Sequence, residues 1–303
     1  MKFAISLAFS SHSYRDDLSQ RIIFSRCHSE RSEESALSSD HAAQHSRIRD
    51  RFTRTADQFS RFALSTRSKE AEHLAALVSP RGTEIALDLA CGPGTFANAF
   101  ALGTRFLIGF DLTPAMLDRA RASAQAASLS NIAFACADAS RLPLPDASLD
   151  LAVCGYSIHH MLDPARALSE LARVLRPGGC LALVDLIVPA GASSDVHDRI
   201  ERTRDASHAN TLTVPEFSAL VEAAGLRLFA LEITERLRQF DDWMQIAGHA
   251  PGSSDYLATR HLLEDSLPSD SAGFRPRLVP DPSGSAPLLE FTQTSLFLLA
   301  EKP

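Results

Sequence analysis

The 303-residue sequence contains no apolar run of about 18 residues or more, so no segment is expected to cross a membrane as a helix. It has no C-x-x-C pair and no histidine spacing of the zinc type, and no metal site is expected. Basic residues are not in excess: 30 Lys and Arg stand against 37 Asp and Glu, a formal net charge of -7. Neutralising nucleic-acid phosphates needs a basic surface, so no nucleic-acid partner is expected. No internal repeat is evident. What remains is an ordinary globular composition, 45% hydrophobic and 22% charged, long enough to bury a sizeable core. Four of the five cysteines, Cys91, Cys136, Cys154 and Cys180, fall in or beside apolar strand-like runs. They read as reduced thiols of a cytoplasmic protein, acting as small hydrophobes.

Residues 1–45 are rich in Ser, Arg and Glu ("SHSYRDDLSQRIIFSRCHSERSEESALSSDHAAQHS") and show no apolar periodicity. So polar a segment cannot offset its ordering entropy by burial, and a disordered tail is expected there. A start site placed too far upstream is one origin for such a tail. "MKFAISLAF" has a faint signal-peptide outline but no clear cleavage site. The folded domain is expected over 46–303, and removal of residues 1–44 is expected to change little.

From Ile48 the pattern turns helical, with Phe52, Phe59, Phe62, Leu74, Leu77 and Val78 at helical spacing and a stop before Pro80. Apolar runs at 84–90, 105–111, 131–138, 149–156 and 179–188 then alternate with helical stretches at 95–102, from Pro114 and from Asp163. Asp163 is a good N-cap and Pro164 suits the first helical position, where no amide donor is needed. Pro177-Gly178-Gly179 is expected to stop that helix and turn into the next strand. A helix ("TVPEFSALVEAAG") and a strand ("LRLFALEIT") follow. An insertion rich in Pro, Gly, Ser and Asp spans about 238–290, and the chain closes on a strand, "EFTQTSLFLLAEK". Strands alternating with helices of this length predict an α/β fold with a doubly wound, Rossmann-like parallel sheet in a single domain.

Ligands of such a sheet bind beyond the carboxyl ends of its strands. The first loop there lies in "EIALDLACGPGTFANAF" (84–100), which fits both a dinucleotide and S-adenosylmethionine. The two differ in charge. A dinucleotide brings an anionic pyrophosphate to the loop and the helix N-terminus, whereas S-adenosylmethionine brings an ammonium and a sulfonium. Asp88, inside the first strand, opposes pyrophosphate and favours an ammonium; it could also simply tie down the loop's amides. Asp111, ending the second strand, accepts ribose hydroxyls in either class. Asp138, after the third strand, could accept from an adenine amino group, with the Ala139 amide beside it. Met116 could lie against the adenine or serve the core.

The ordered set "LDLACGPG", "GFDLTPAML" and "ACADASRLPLPDASLDLAVCGYSIHHMLDPARALSELARVLRPGG" resembles the class I S-adenosylmethionine-dependent methyltransferases. Within them it is similar to the small-molecule, methyltransferase type 11 group related to the quinone C-methyltransferases. The resemblance covers about 47–235. It implies a seven-stranded sheet in the order 3-2-1-4-5-7-6 with the last strand antiparallel. It implies S-adenosyl-L-methionine as cofactor, with Asp88, Ala90, Gly92 and Gly94 around its methionine part. Asp111 would take the ribose hydroxyls, Leu112 and Met116 would flank the adenine, and Asp138 with Ala139 would meet its polar edge. The segment from Phe52 to Phe62 matches the family's cofactor-covering N-terminal helix.

On the reacting side, "CGYSIHHMLDP" ends the fourth strand, facing the transferred methyl in this fold. His160 is the candidate proton acceptor, although the His pair could instead bind backbone carbonyls. Tyr156 could meet the sulfonium through its ring. "ERTRDASHAN" (201–210) and the insertion residues Trp243, Met244 and Tyr256 are candidate substrate walls. The function expected is methyl transfer to a small molecule by in-line displacement. A nicotinamide oxidoreductase and a catalytically silent methyltransferase-like binding module remain as alternatives. Asp111→Ala is expected to weaken cofactor binding with little loss of stability in the free protein.

Overall fold

In the computed structural model, residues 39–281 and 287–303 are described. Most of the segment expected to be a tail, together with Cys27 and part of the insertion, lies outside the described residues. Within them the chain is already helical ahead of the expected domain boundary. Helix α1 (Ser39–Arg54) begins ahead of the expected boundary at 45, which falls inside it. It leads through Thr55 into α2 (Ala56–Phe62), a π-helical turn (Ala63–Arg67) and α3 (Ser68–Val78).

The sheet follows: β1 (Ile85–Leu89), α4 (Thr95–Ala101), β2 (Phe106–Asp111), α5 (Pro114–Ala126), β3 (Ile132–Cys136), β4 (Leu149–Gly155), α6 (Pro164–Val174) and β5 (Leu175–Leu186). Then come α7 (Ser194–Arg204), α8 (Val214–Ala223), β6 (Arg227–Gln239), α9 (Phe240–Ile246), α10 (Ser254–Asp265), β7 (Arg277–Val279) and β8 (Leu288–Glu301). The strand order is 3-2-1-4-5-8-6, with β7 paired to β8 alone. This is the expected seven-strand order; the short β7 inside the insertion makes the last strand the eighth in sequence. β8 runs antiparallel to β5 and β6, while β1 to β5 pair in parallel.

Parallel strands with helices on both faces must be apolar on both faces, which is why these runs do not alternate. One face buries Leu87, Leu89, Leu181 and Leu183 under Leu168 and Leu171 of α6 and Phe217 and Val221 of α8. The other packs Ala86, Val153, Ala182 and Val184 against Leu74 of α3, Phe100 of α4 and Leu117 of α5. A third cluster joins Ile200 of α7 to Phe240, Trp243, Met244, Tyr256 and Leu263 of the insertion. Met244 and Tyr256 therefore serve packing there.

Local signals set the helix starts. Asp163 caps α6 by accepting from the Arg166 amide at 2.9 Å, with Pro164 first in the helix. Thr213 and Glu216 form a capping box on α8. Two ends differ from expectation. Helix α6 stops at Val174, because Leu175 already pairs with Leu149. Strand β6 runs on to Gln239, since β8 pairs with it as far as Glu290. Among the described residues no helix is long and apolar enough to cross a membrane.

Candidate active site

The carboxyl ends of β1, β2, β3 and β4 open into one cavity, and α1 and α2 close over it. Ala90, Gly92, Asp111, Leu112, Met116, Asp138, Ala139 and His160 all line it. Asp88 and Gly94 do not. Asp88 lies beneath the loop, only 1% exposed, and a Cβ on Gly94 would meet Ala120 of α5 at 3.2 Å. Gly94 thus lets α5 pack against the loop.

The loop geometry explains its glycines. Ala90, Gly92 and Gly94 all have positive φ, at 54°, 53° and 86°. This is a conformation that side chains disfavour and glycine permits. Tyr156, at the end of β4, is also held at φ 54°. A bulky residue there is strained, and Ala90 and Tyr156 both border the cavity.

Asp111 holds this loop together. Its Oδ2 accepts from the Gly92 amide at 2.8 Å, and its Oδ1 accepts from the Thr113 amide at 2.8 Å. Burial pushes its carboxyl upward, against the pull of those amides. Burial also pushes Asp88 well above the carboxylate range, with the Ala97 amide opposing and Asp111 adding repulsion. Asp88 Oδ2 meets no hydrogen-bond partner. Asp111 at the cavity wall and the open backbone of the loop offer acceptors to a ligand carrying hydroxyls and an ammonium. S-adenosylmethionine fits that set.

These contacts revise the expectation for Asp111→Ala. The side chain is already committed to two backbone amides, so its removal should cost the free protein about 1–3 kcal/mol as well as cofactor affinity. S-adenosylhomocysteine binding should weaken by about tenfold to a thousandfold. Melting temperature and affinity measured on the same variant check both, and intact affinity would remove Asp111 from the site.

Helix α1 supplies wall residues that the sequence reading left in the tail or unassigned: His41, Gln44, His45 and Ile48; Phe52, expected on the cofactor-covering helix, joins them. Gln44, 2% exposed, donates through Nε2 to the carbonyls of His160 at 2.8 Å and Ser207 at 2.7 Å. His45 Nε2 stands 3.8 Å from Asp138 Oδ1. The signal was present as positions 41, 44, 45, 48 and 52, the spacing of one helix face. It was hidden because that face is largely polar.

A second, inner chamber adjoins the cofactor cavity. Phe52, Phe59, Arg67, Tyr156 and His160 line both. Its remaining walls include Arg204, Asp205 and His208, with Trp243 from α9. Arg202 is not among them; it pairs with Asp198 at 3.2 Å. Tyr156 has its ring covered by the Arg67 guanidinium, 3.2 Å from the ring centroid. That ring face is therefore closed to a sulfonium.

His160 sits where the two spaces meet. Its Nδ1 lies 2.9 Å from the Ser207 carbonyl, an acceptor. Nδ1 must therefore carry the proton, leaving the Nε2 lone pair free. Arg51 and Asp205, 3.0 Å apart and buried, hold Ser207, whose hydroxyl donates to Asp205 Oδ1 at 2.6 Å. His159, beside it, meets Asp185 Oδ1 at 2.5 Å.

Known proteins resemble this chain in sequence and fold. A family model described as "Methyltransferase domain" matches residues 87–183. The chain is 32% identical over 177 residues to an uncharacterized methyltransferase of Bacillus subtilis, YcgJ, covering 58% of this chain and 70% of that one. It is 43% identical over 128 residues to a demethylmenaquinone methyltransferase of Deinococcus radiodurans, covering 41% of this chain and half of that protein's length. A solved methyltransferase-type structure from Bacillus halodurans superposes with a TM-score of 0.69 at 28% identity, over 78% of this chain and 99% of that one. The shared sheet order, the loop after β1 and these matches place the chain among the class I methyltransferases of the type 11 family, enzymes that use S-adenosyl-L-methionine as methyl donor.

Proposed function

We propose that this methyltransferase acts on a small molecule held in the inner chamber, by in-line displacement, with His160 as proton acceptor. The supporting observation is the junction itself: the cofactor cavity and the inner chamber share Phe52, Phe59, Arg67, Tyr156 and His160. An acceptor in the chamber is thus held next to the methyl donor, which is most of what such a displacement requires. Chamber walls drawn from α1, the segment after α7, and α9 enclose the space, which favours a small acceptor over a folded polymer. The insertion contributes Trp243 to this wall and is read as part of one domain running from α1 to the C-terminus. The paired charges and reduced thiols fit a cytoplasmic enzyme.

S-adenosylmethionine bound in the cavity supplies a methyl carbon activated by its sulfonium. The chain's part is to hold the cofactor's ribose on Asp111, its adenine between Leu112 and Met116 with Asp138 and Ala139 at the polar edge, and its methionine end at Ala90 and Gly92. His160 offers a neutral Nε2. Burial, then repulsion from His159, bring it down to about 3. A base this weak suits a proton that turns strongly acidic as the acceptor atom becomes cationic during displacement. His160→Gln should lower kcat by about a hundredfold or more, with a much smaller change in S-adenosylhomocysteine affinity. Equal losses in both would make His160 a binding residue only. The reaction class is tested by incubating the enzyme with labelled S-adenosylmethionine and a metabolite extract. Label is expected in a low-mass product; label in protein or nucleic acid would overturn the reading.

The same histidine should mark the pH dependence of folding. Its value in the folded protein lies below the ordinary 6.5. Below that pH the unfolded chain takes up a proton that the folded chain refuses, so this group lowers stability as pH falls from about 6.5 toward 3. His159, His208 and Asp205 face the imidazole. Between pH 7 and pH 5 the wild type should lose about 2 kcal/mol relative to His160→Gln. Urea titrations at the two pH values check this, and parallel curves would show that the imidazole is solvated.

A further inference from the structure

The inner chamber contains two arginines that the methyl-transfer reading does not use. Arg67 ends the π-helical turn, an irregularity that often re-aims a side chain at a working site. Its Nε and Nη1 are buried and have no hydrogen-bond partner. Its guanidinium lies over the Tyr156 ring and 5.5 Å from the Phe62 centroid. Arg238, near the end of β6, stands 5.3 Å from the centroid of the same Phe62 ring. Its Nε donates to Gln293 Oε1 at 3.0 Å.

The other cations of the chamber are neutralised. Arg51 pairs with Asp205 and Arg204 with Glu201, each at 3.0 Å. Glu70, the carboxylate that acts on Arg238, is committed to Arg236 at 2.7 Å. Among the described residues no carboxylate forms an ion pair with Arg67 or Arg238. Burial, then the repulsion of Arg67 and Arg236, bring Arg238 down to about 10. Both arginines are half-buried and without an ion-pair partner, and Arg67 carries two buried donors with nothing to bind; such donors are costly, and they are kept where a ligand supplies the missing charge.

We propose that Arg67 and Arg238 bind an anionic oxygen group of the acceptor, a carboxylate or a phosphate, beside Phe62 in the inner chamber. This rests on the small-molecule reading above and names the substrate class. Arg67 also borders the cofactor cavity, and Arg238 also lines an outer cleft with Leu237 and Trp243. An anion between them therefore leaves the rest of the acceptor directed toward His160. Planar guanidinium groups bind such anions through paired N–H donors.

The test uses the full chain saturated with S-adenosylhomocysteine. Benzoate, phenyl phosphate and the neutral benzamide are titrated by calorimetry. At least one anion should bind ten times or more tighter than benzamide, and the stronger of the two identifies carboxylate or phosphate. Arg238→Met should abolish that preference while S-adenosylhomocysteine affinity, measured on the same sample, certifies the fold. Arg238→Lys should restore part of it, and Arg67→Met should also lose it. Equal binding of all three probes, binding of none, or a preference that survives both methionine variants would overturn the proposal. The metabolite extract separates this failure from that of the parent reading. A labelled low-mass product made from extract not retained by an anion exchanger would sink the anion alone, whereas label confined to macromolecules would sink both.

Discussion

Asp185→Ala should lower the melting temperature by about 6–20 °C and remove most activity from whatever protein stays folded. The residue is the penultimate of β5 and has no exposure to solvent. One carboxylate there serves four groups. Oδ2 accepts from the amides of Ser157 at 3.1 Å and Ile158 at 2.7 Å. Oδ1 meets His159 Nδ1 at 2.5 Å and accepts from the Leu186 amide at 2.7 Å. Burial alone would raise its pKa, but His159 and the amides outweigh burial and hold it below the usual carboxylate value. The turn it ties to β5 is the 3-10 segment Ile158–His160, which carries the candidate base. Removing one partner of a buried charge network costs about 3–5 kcal/mol, since the groups left behind cannot reach water. At about 2–4 °C per kcal/mol for a domain of this size, that gives the expected shift. Asp185→Asn keeps the shape but turns an NH2 toward donors, so it should recover only part of the loss. Calorimetry of the free protein decides, and a shift under about 3 °C for the alanine variant would mean that this carboxylate is dispensable.

The parts legible in the sequence were those written by backbone rules. Apolar runs without alternation betrayed buried parallel strands. Gly92 betrayed a loop at positive φ, and Asp163-Pro164 a helix start. Asp111 does line the cavity, but its amide partners were not visible: Gly92 reaches it only through the pairing of β1 with β2, and Thr113 only through the local turn after β2. The acceptor side was harder for the same reason. Arg67 and Arg238 come from helix and strand far apart in the chain, brought together only when β6 docks on β8 and Arg236 reaches the Thr66 carbonyl at 2.9 Å. Asp185 looks like an ordinary strand-end acid until the β4 turn folds over it. The part of α1 ahead of Ile48 was missed because hydropathy finds faces that meet a core. His41, Gln44 and His45 face the cofactor cavity and backbone carbonyls instead.

That omission yields the last expectation, which reverses the sequence-based one. A chain lacking residues 1–44 should be markedly less stable than a chain lacking residues 1–38, and should bind S-adenosylhomocysteine at least about tenfold more weakly. The two differ only by Ser39 to Gln44. Without Gln44 the His160 carbonyl loses its described donor, and the Ser207 carbonyl keeps only the His160 imidazole. An unmet buried carbonyl costs about 1–3 kcal/mol. The new terminus would also fray across His45 and Ile48, which line the cofactor cavity. Arg47 would lose its contact at 3.0 Å with Gln44 Oε1 as well. Gln44→Leu separates the two causes, since leucine keeps the helix and the bulk while deleting the donors. It should reproduce the stability loss but only part of the affinity loss, because the helix still covers the cavity. Thermal unfolding and calorimetric binding on the three proteins settle the boundary. Identical behaviour of the two truncations would restore the domain start to residue 46.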